Sequence, residues 1–171
     1  MGYGSIYYGD VMTFKIRSMR FNEFNTVAKL VYDSVHTLCV NEYTEEELDA
    51  WVPANMYMPA FRNSIGRCYA IVAVNSDKQI VGFMSTERDG YINRLYTHPD
   101  WVGNGIATAL LKNTEEWARK RGINHLMLES SKSAETFYQK CGFQKVGEIK
   151  SIKNNLPFIS AKMKKELYTN G

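Results

Sequence analysis

The sequence predicts a single α/β (α+β) domain with a mixed central sheet of about six to seven strands, flanked by about four helices. Two observations predict this fold. First, apolar and β-branched runs bounded by turn residues alternate with helical patterns along the 171 residues. Second, residues 91–130 hold a strand, a glycine-containing loop, a helix and another strand, which together predict a βαβ core with a right-handed crossover.

The N-terminal residues differ from the rest of the chain. Residues 1–11 (MGYGSIYYGDV) are rich in glycine and tyrosine, and we expect a flexible N-terminal extension there. A single domain then spans residues 12–171. It starts with a strand at Thr13–Met19, where apolar and polar residues alternate as they do in a half-buried strand.

The first long helix is predicted to run to about Leu38. Asn22 or Asn25 is its expected N-cap, because a short polar side chain can accept a hydrogen bond from a free N–H of the first turn. Apolar residues recur at helical spacing and form one face. These residues are Phe24, Val27, Ala28, Val31 and Val35.

A second, short helix is predicted from a capping box. Thr44 and Glu47 have the spacing at which the two side chains bond to each other's backbone N–H groups. The helix is expected to pass through Trp51 and end before Pro53. Residues 53–66 are predicted to be irregular, and their methionine and tyrosine side chains either shape an adaptable apolar pocket or cover the sheet.

Two central strands come next. Cys68–Asn75 is a nearly continuous apolar run, as in a strand buried on both faces. Gln79–Glu87 is the following strand, and Asp89-Gly90 is a hairpin turn signal that leads into the strand Tyr91–Thr97.

The loop after this strand is a candidate anion site. His98-Pro99-Asp100 ends the strand, and Gly103, Gly105 and Ala107 keep the segment before the next helix free of bulky side chains. A helix N-terminus carries about half a positive charge. The same pattern is also compatible with an ordinary tight turn. It is neither a dinucleotide-binding GxGxxG, because Thr108 occupies the last glycine position, nor a P-loop.

The remaining elements complete the predicted sheet. The helix after the loop ends near Gly122, and His125–Ser130 is predicted to lie parallel to the strand Tyr91–Thr97. A short helix follows at Ser133–Cys141. Two final strands, Phe143–Ile152 and Leu156–Met163, are predicted to form a hairpin across Asn154-Asn155.

Two segments carry a family resemblance. LYTHPDWVGNGIATALL has small residues at Gly105 and Ala107, with Val102 where glutamine or arginine is usual. SAETFYQKCGF, Ser133–Phe143, matches a second signature, Ala-x-x-Phe-Tyr-x-x-x-Gly-Phe. In this order and at this separation, the two segments resemble the GNAT superfamily of acyl-CoA-dependent N-acetyltransferases. The resemblance implies a GNAT-like domain whose βαβ core binds CoA.

The resemblance also implies acetyl-CoA as co-substrate and suggests the residues that hold it. The backbone of Leu95, Tyr96 and Thr97 is expected to bind the pantetheine arm and the thioester carbonyl, aided by a β-bulge in that strand. Ser131 is expected to contact the arm, and Phe137 and Lys140 are expected to flank the adenine or the 3′-phosphate, although an exposed lysine is more often only solvated. The phosphates of CoA are expected to bind to the loop and first helical turn formed by Val102, Gly103, Asn104, Gly105, Ile106, Ala107 and Thr108.

Tyr138 is the candidate general acid, because it matches the tyrosine of the second signature. A phenol of ordinary pKa, about 10, is protonated at pH 7 and can protonate the departing thiolate. The alternative is that Tyr138 only packs or bonds to the cofactor.

The general base is left open by the sequence. The resemblance to the GNAT superfamily implies a carboxylate in this strand, but Asn93 stands at its place, and an amide cannot accept the proton. Glu87, Glu129, His36, a water chain and an amine that arrives already neutral are the alternatives. No cysteine is expected to act as a nucleophile, because direct attack by the amine needs no covalent enzyme intermediate.

Charge and cysteine content limit the classes of partner and compartment that the sequence favours. A net charge of +3 is too small to favour nucleic acid. Three widely spaced cysteines favour a reducing cytoplasm. The sequence shows no secretory signal, no apolar run of about 20 residues for a membrane span, and no metal-ligand spacing. The expected partner is a small amine or peptide acceptor, with a homodimer possible. A non-catalytic CoA-binding or interaction module is the alternative function.

Overall fold

The computed structural model describes residues 6–8 and 13–168. The flexible extension predicted for residues 1–11 falls largely outside this range. Within it, strand β1 (Ile6–Tyr8) pairs antiparallel with strand β2 (Thr13–Ser18).

The described residues form an 8-stranded mixed sheet in the order β1-β2-β3-β4-β5-β6-β8-β7. Among the strands of the described residues, β5 and β6 alone are parallel neighbours. The remaining strands are β3 (Tyr69–Asn75), β4 (Ile80–Thr86), β5 (Tyr91–Thr97), β6 (His125–Ser130), β7 (Gln144–Lys153) and β8 (Leu156–Glu166). The helices are α1 (Phe24–Leu38), α2 (Glu45–Trp51), α3 (Met58–Ile65), α4 (Ile106–Lys120) and α5 (Lys132–Lys140).

The predicted mixed α/β sheet is confirmed, with one more strand and one more helix than expected. The additional helix is α3, and the prediction of an irregular segment there was wrong. Pro59 lies in the first turn of α3, where a missing N–H costs no helical hydrogen bond. Helix α3 buries Phe61 and Ile65, so tertiary packing stabilises a helix that the local sequence did not predict.

The helix starts confirm one expected cap and correct another. At α2, Thr44 Oγ1 accepts from Glu47 N at 3.2 Å and Glu47 Oε2 accepts from Thr44 N at 2.8 Å, which confirms the capping box. Neither Asn22 nor Asn25, the expected N-caps, caps α1. Instead a 3₁₀ turn precedes the helix, and Glu23 Oε2 accepts from Arg20 N at 2.7 Å.

Buried residues form two clusters, one on each face of the sheet. Alternate residues of β3 divide between them, with Ile71 in the cluster under α4 and α5 and Val72 in the cluster under α1, α2 and α3. The sheet is therefore covered on both sides, as its apolar central strands predicted.

The two parallel strands separate after a short contact. Only Tyr91 pairs with Met127 and Ile92 with Leu128, and beyond them β5 and β6 have no paired residues. On its other edge β5 pairs with β4, where the register shifts so that Asn93 is skipped. This irregularity is the bulge that the family resemblance implied. The result is an opening in the middle of the sheet.

Gly82 in β4 allows α4 to approach the sheet. A Cβ at this position would lie 2.5 Å from Ile106 Cγ2 and 3.0 Å from Leu110 Cδ1, and both of those side chains are fully buried. We expect Gly82→Ala to lower the free energy of unfolding by about 1–3 kcal/mol, because a packed core cannot absorb the added methyl group. Urea unfolding would measure the loss.

Gly147→Ala in β7 is the matched control. An added Cβ there meets nothing within 4 Å. We expect this variant to be as stable as the original protein. Equal stability of the two variants would contradict the close approach of α4 to β4.

Candidate active site

A cavity of about 540 Å³ occupies the opening between β5 and β6. It extends from the loop before α4 to α5, and α1 forms another wall. We call it the central cleft. It is lined by Asn93, by Tyr138 and by every residue predicted to bind CoA except Asn104 and Lys140. The fold thus brings together residues that are about 45 positions apart in the chain.

The loop before α4 presents bare backbone to the cleft. Gly103 and Gly105 have φ angles of 82° and 78°, and a Cβ on either would meet nothing within 4 Å. Within the part of the chain that the structure describes, no side chain caps α4, so its first N–H groups are available to an anion. Asn104 does not line the cleft; its Nδ2 donates to the carbonyls of Trp101 and Val102, which holds the loop in shape. These features fit the phosphates of CoA.

The second half of β5 offers a free strand edge. Leu95, Tyr96 and Thr97 pair with β4 on one side, and on the other side they face the cleft. An extended, amide-containing chain can bind to such an edge by backbone hydrogen bonds. The pantetheine arm of CoA is a chain of this kind.

The Tyr138 side chain is packed at the wall of the cleft. It is 8% exposed, and its ring makes edge contacts with Phe137 and Phe143 at centroid distances of 5.2 and 5.6 Å. Burial raises the pKa of Tyr138 well above its ordinary value, and nearby Tyr96 adds to the effect. The phenol therefore stays protonated at neutral pH, as a proton donor must.

Lys140 is exposed and does not line the cleft. It lies two residues after Tyr138, which places it about 200° around α5 from the buried phenol. The structure does not bring this predicted CoA contact into the site.

The candidate bases lie around the bulge in β5. Asn93 Nδ2 donates to Glu87 Oε1 at 3.0 Å, and Glu87 lies outside the central cleft in a neighbouring cavity. Glu129 lines the cleft and accepts from the Tyr91 hydroxyl at 3.1 Å. His36 does not reach the cleft: its Nε2 is 2.8 Å from the carbonyl oxygen of Val52, and its ring stacks on Tyr32.

Sequence reasoning missed several side chains of the site. Tyr96 was predicted to act only through its backbone, yet its side chain lines the cleft, and desolvation raises its pKa to about 12. Trp51 and Cys39 also line the cleft. No local pattern marks these residues, since each comes from a different element.

Within residues 6–8 and 13–168, no three His, Cys, Asp or Glu side chains are grouped to hold a metal ion. None of the described helices combines the length and the apolar character needed to cross a bilayer.

A family model described as "Acetyltransferase (GNAT) domain" matches residues 39–167. The chain belongs to the GNAT acetyltransferase family. The matched region holds both signature segments and all residues of the central cleft except those contributed by α1 before residue 39. GNAT membership thus confirms the resemblance found in the sequence.

Among curated relatives, an uncharacterised N-acetyltransferase, YafP of Escherichia coli, is 25% identical over 132 residues, covering 77% of this chain and 82% of the relative. The spermidine N(1)-acetyltransferase of Thermoplasma acidophilum is 22% identical over 144 residues, covering 78% and 89%.

Solved structures agree with the GNAT fold. A GCN5-related N-acetyltransferase from Rhodopseudomonas palustris superposes with a TM-score of 0.86 at 25% identity, over 97% of this chain and 100% of the other. The PaiA N-acetyltransferase of Thermoplasma acidophilum, solved in complex with coenzyme A, has a TM-score of 0.73 at 21% identity and covers 90% and 98% of the two chains.

Proposed function

We propose that this protein transfers the acetyl group of acetyl-CoA to a primary amine, on a small molecule or a peptide, by direct attack within a ternary complex. The observation that carries the proposal is the central cleft. It joins the bare N-terminus of α4, the free edge of β5 and the Tyr138 phenol in one cavity. The CoA complex of the PaiA relative supports the choice of co-substrate.

Acetyl transfer forms a C–N bond to the amine and breaks the C–S bond of the thioester. One proton leaves the nitrogen and one reaches the sulfur, so no other reactant is needed. The backbone N–H groups of β5 at the cleft stabilise the charge that develops on the carbonyl oxygen. Tyr138 supplies the proton to the sulfur. The loop at Gly103 and Gly105 binds the phosphates.

The proton from the amine is assigned to Glu87 acting through water. Its carboxylate lines the cavity beside the central cleft, and Asn93, which it contacts, lines both. The Asn93 amide orients this carboxylate and does not itself take the proton. Glu129, which lines the central cleft together with Asn93, is the alternative acceptor.

A non-catalytic CoA-binding module is the second candidate. The observation that favours it is Asn93 itself, an amide at the bulge where a carboxylate is expected. Such a protein would bind acetyl-CoA and release no thiol with any amine.

The proposal also includes the cellular compartment and the partners of the protein. The three cysteines are free thiols, which supports a reducing compartment such as the cytoplasm. A homodimer, and the absence of nucleic acid from the partners, stay predictions.

The melting temperature should rise with acetyl-CoA. A ligand at about 100 times its Kd adds roughly 2.7 kcal/mol of stability, which is several degrees for a domain of this size. We expect the rise with acetyl-CoA and CoA but not with NAD. Release of free thiol in the presence of an amine series then separates turnover from binding alone. No shift at millimolar acetyl-CoA would contradict both candidate functions.

A further inference from the structure

Two further cavities adjoin the central cleft, with volumes of about 200 and 650 Å³. Both share Trp51, Asn93 and Tyr96 with the cleft, so they meet it at the bulge of β5. We call them together the side cavities. The larger one falls within the range of about 300–1,000 Å³ that is typical of small-molecule sites. An acceptor bound there would have its amine near the end of the pantetheine arm.

Lys153 is the charged residue common to both side cavities. It is the last residue of β7, next to the hairpin turn. Its Nζ lies 4.7 Å from the ring centroid of Phe158 and 5.4 Å from that of Trp51. Among the residues that the structure describes, no carboxylate lies within salt-bridge distance of this ammonium group.

The aromatic contacts compensate only partly for the lost hydration of the ammonium group. Desolvation lowers the pKa of Lys153, and Glu129 opposes the change without forming an ion pair. A half-buried cation is costly unless it is paired. A ligand with an anionic group in the side cavities would provide that pairing.

The other charged side chains of the side cavities make hydrogen bonds to neutral partners and keep their charge. Glu87 accepts from Asn93, and Glu129 accepts from Tyr91. Arg94 donates to Ser64 Oγ at 3.0 Å. A polyamine would bring extra positive charge beside Lys153 and Arg94, and neither of these cations has a carboxylate within salt-bridge distance among the residues that the structure describes. A molecule with one amine and one carboxylate fits the distribution better.

We propose that the acceptor is an amino-acid-type molecule, an amine that also carries a carboxylate, and that Lys153 binds the carboxylate. This inference rests on the proposed acetyl transfer and names its acceptor class. Val52, Met56 and Phe61 line the larger side cavity, so an apolar side chain suits the acceptor. The choice differs from spermidine, the substrate named for one relative.

Two acetylated compounds test the inference by binding alone. N-acetyl-L-phenylalanine and N-(2-phenylethyl)acetamide differ only by the carboxylate, and neither has an amine that titrates. We expect the carboxylate compound to bind at least tenfold more tightly, equal to about 1.4 kcal/mol. Calorimetric titrations with and without saturating CoA would measure both affinities. Equal or tighter binding of the neutral compound would overturn the inference, and so would undetectable binding of the carboxylate compound.

Lys153→Met removes the charge and keeps an unbranched apolar stem. We expect the preference for the carboxylate compound to disappear in this variant, while its CoA affinity stays unchanged and its melting temperature stays the same or rises, because the unpaired cation is gone. Lys150→Met is the matched control, because Lys150 is exposed and lies on the opposite face of β7. The control should keep the preference. A preference that survives in Lys153→Met would overturn the role of this lysine.

Failure of this inference is distinguishable from failure of the proposed function. Thiol release with amines that carry no carboxylate, together with tight binding of N-(2-phenylethyl)acetamide, would support acetyl transfer and overturn the acceptor class. Lysine-dependent binding of N-acetyl-L-phenylalanine without thiol release from any amine would support the acceptor site and contradict catalysis.

Discussion

Tyr138→Phe is expected to lower kcat by about 10²- to 10⁴-fold, the usual contribution of a positioned general acid. The KM for acetyl-CoA should change little, because the phenyl ring of the variant keeps the contacts that the tyrosine ring makes with Phe137 and Phe143. Steady-state release of free thiol would measure both constants. The raised pKa of Tyr138 also predicts that its ionisation does not cause a fall of kcat between neutral and mildly alkaline pH.

Tyr69→Phe is the control for loss of a phenol. The Tyr69 hydroxyl donates to Asn113 Oδ1 at 2.7 Å, and the residue lines neither the central cleft nor the side cavities. We expect this variant to lose about 1 kcal/mol of stability and to keep its kcat. A Tyr138→Phe variant with full kcat would show that water protonates the sulfur and that Tyr138 serves packing alone.

Ala107→Glu is expected to weaken CoA binding by roughly 5- to 700-fold. A carboxylate in the first turn of α4 would face the phosphates at a distance of a few ångströms. Repulsion between two charges 4 Å apart is about 1 kcal/mol in water and about 4 kcal/mol at an effective dielectric constant of 20. Calorimetric titration with CoA would measure the change.

The stability of the Ala107→Glu apoprotein should not fall together with its CoA affinity. An acidic residue near a helix N-terminus stabilises the helix by about 0.3–1 kcal/mol. The apoprotein of Ala107→Glu should therefore melt at the same temperature as the original protein or slightly higher. Ala107→Gln adds similar bulk without charge and should bind CoA more tightly than Ala107→Glu. Equal weakening by both variants would point to crowding of the loop instead of charge repulsion.

Local sequence patterns predicted the elements whose signals are contiguous in the chain. The Thr44 capping box, the parallel pair around α4 and the Asn154-Asn155 turn all appear where expected, with positive φ at both asparagines. Each depends on chemistry within a few residues. The helix α3 was missed because its stability comes from burying Phe61 and Ile65 against elements that no local pattern reveals.

The residues of the candidate site also divide into those that a local sequence pattern revealed and those that only the structure revealed. Gly103, Gly105 and Tyr138 were found because they belong to two short signatures, and the structure places them in one cleft. Lys140 belongs to the second signature as well, but helical geometry turns it to solvent. Lys153 and the Tyr96 side chain were not found, because their importance depends on neighbours from distant strands and helices.

By itself the sequence determined the GNAT family, the βαβ core and the bare loop for phosphates, because these depend on residue types at fixed short spacings. The tertiary structure alone decided how far β5 and β6 separate, which side chains meet at the bulge and where charge is left unpaired. Those properties arise from contacts such as Lys153 with Trp51, between residues about 100 positions apart. Helix periodicity and turn chemistry carry no information about contacts at that range.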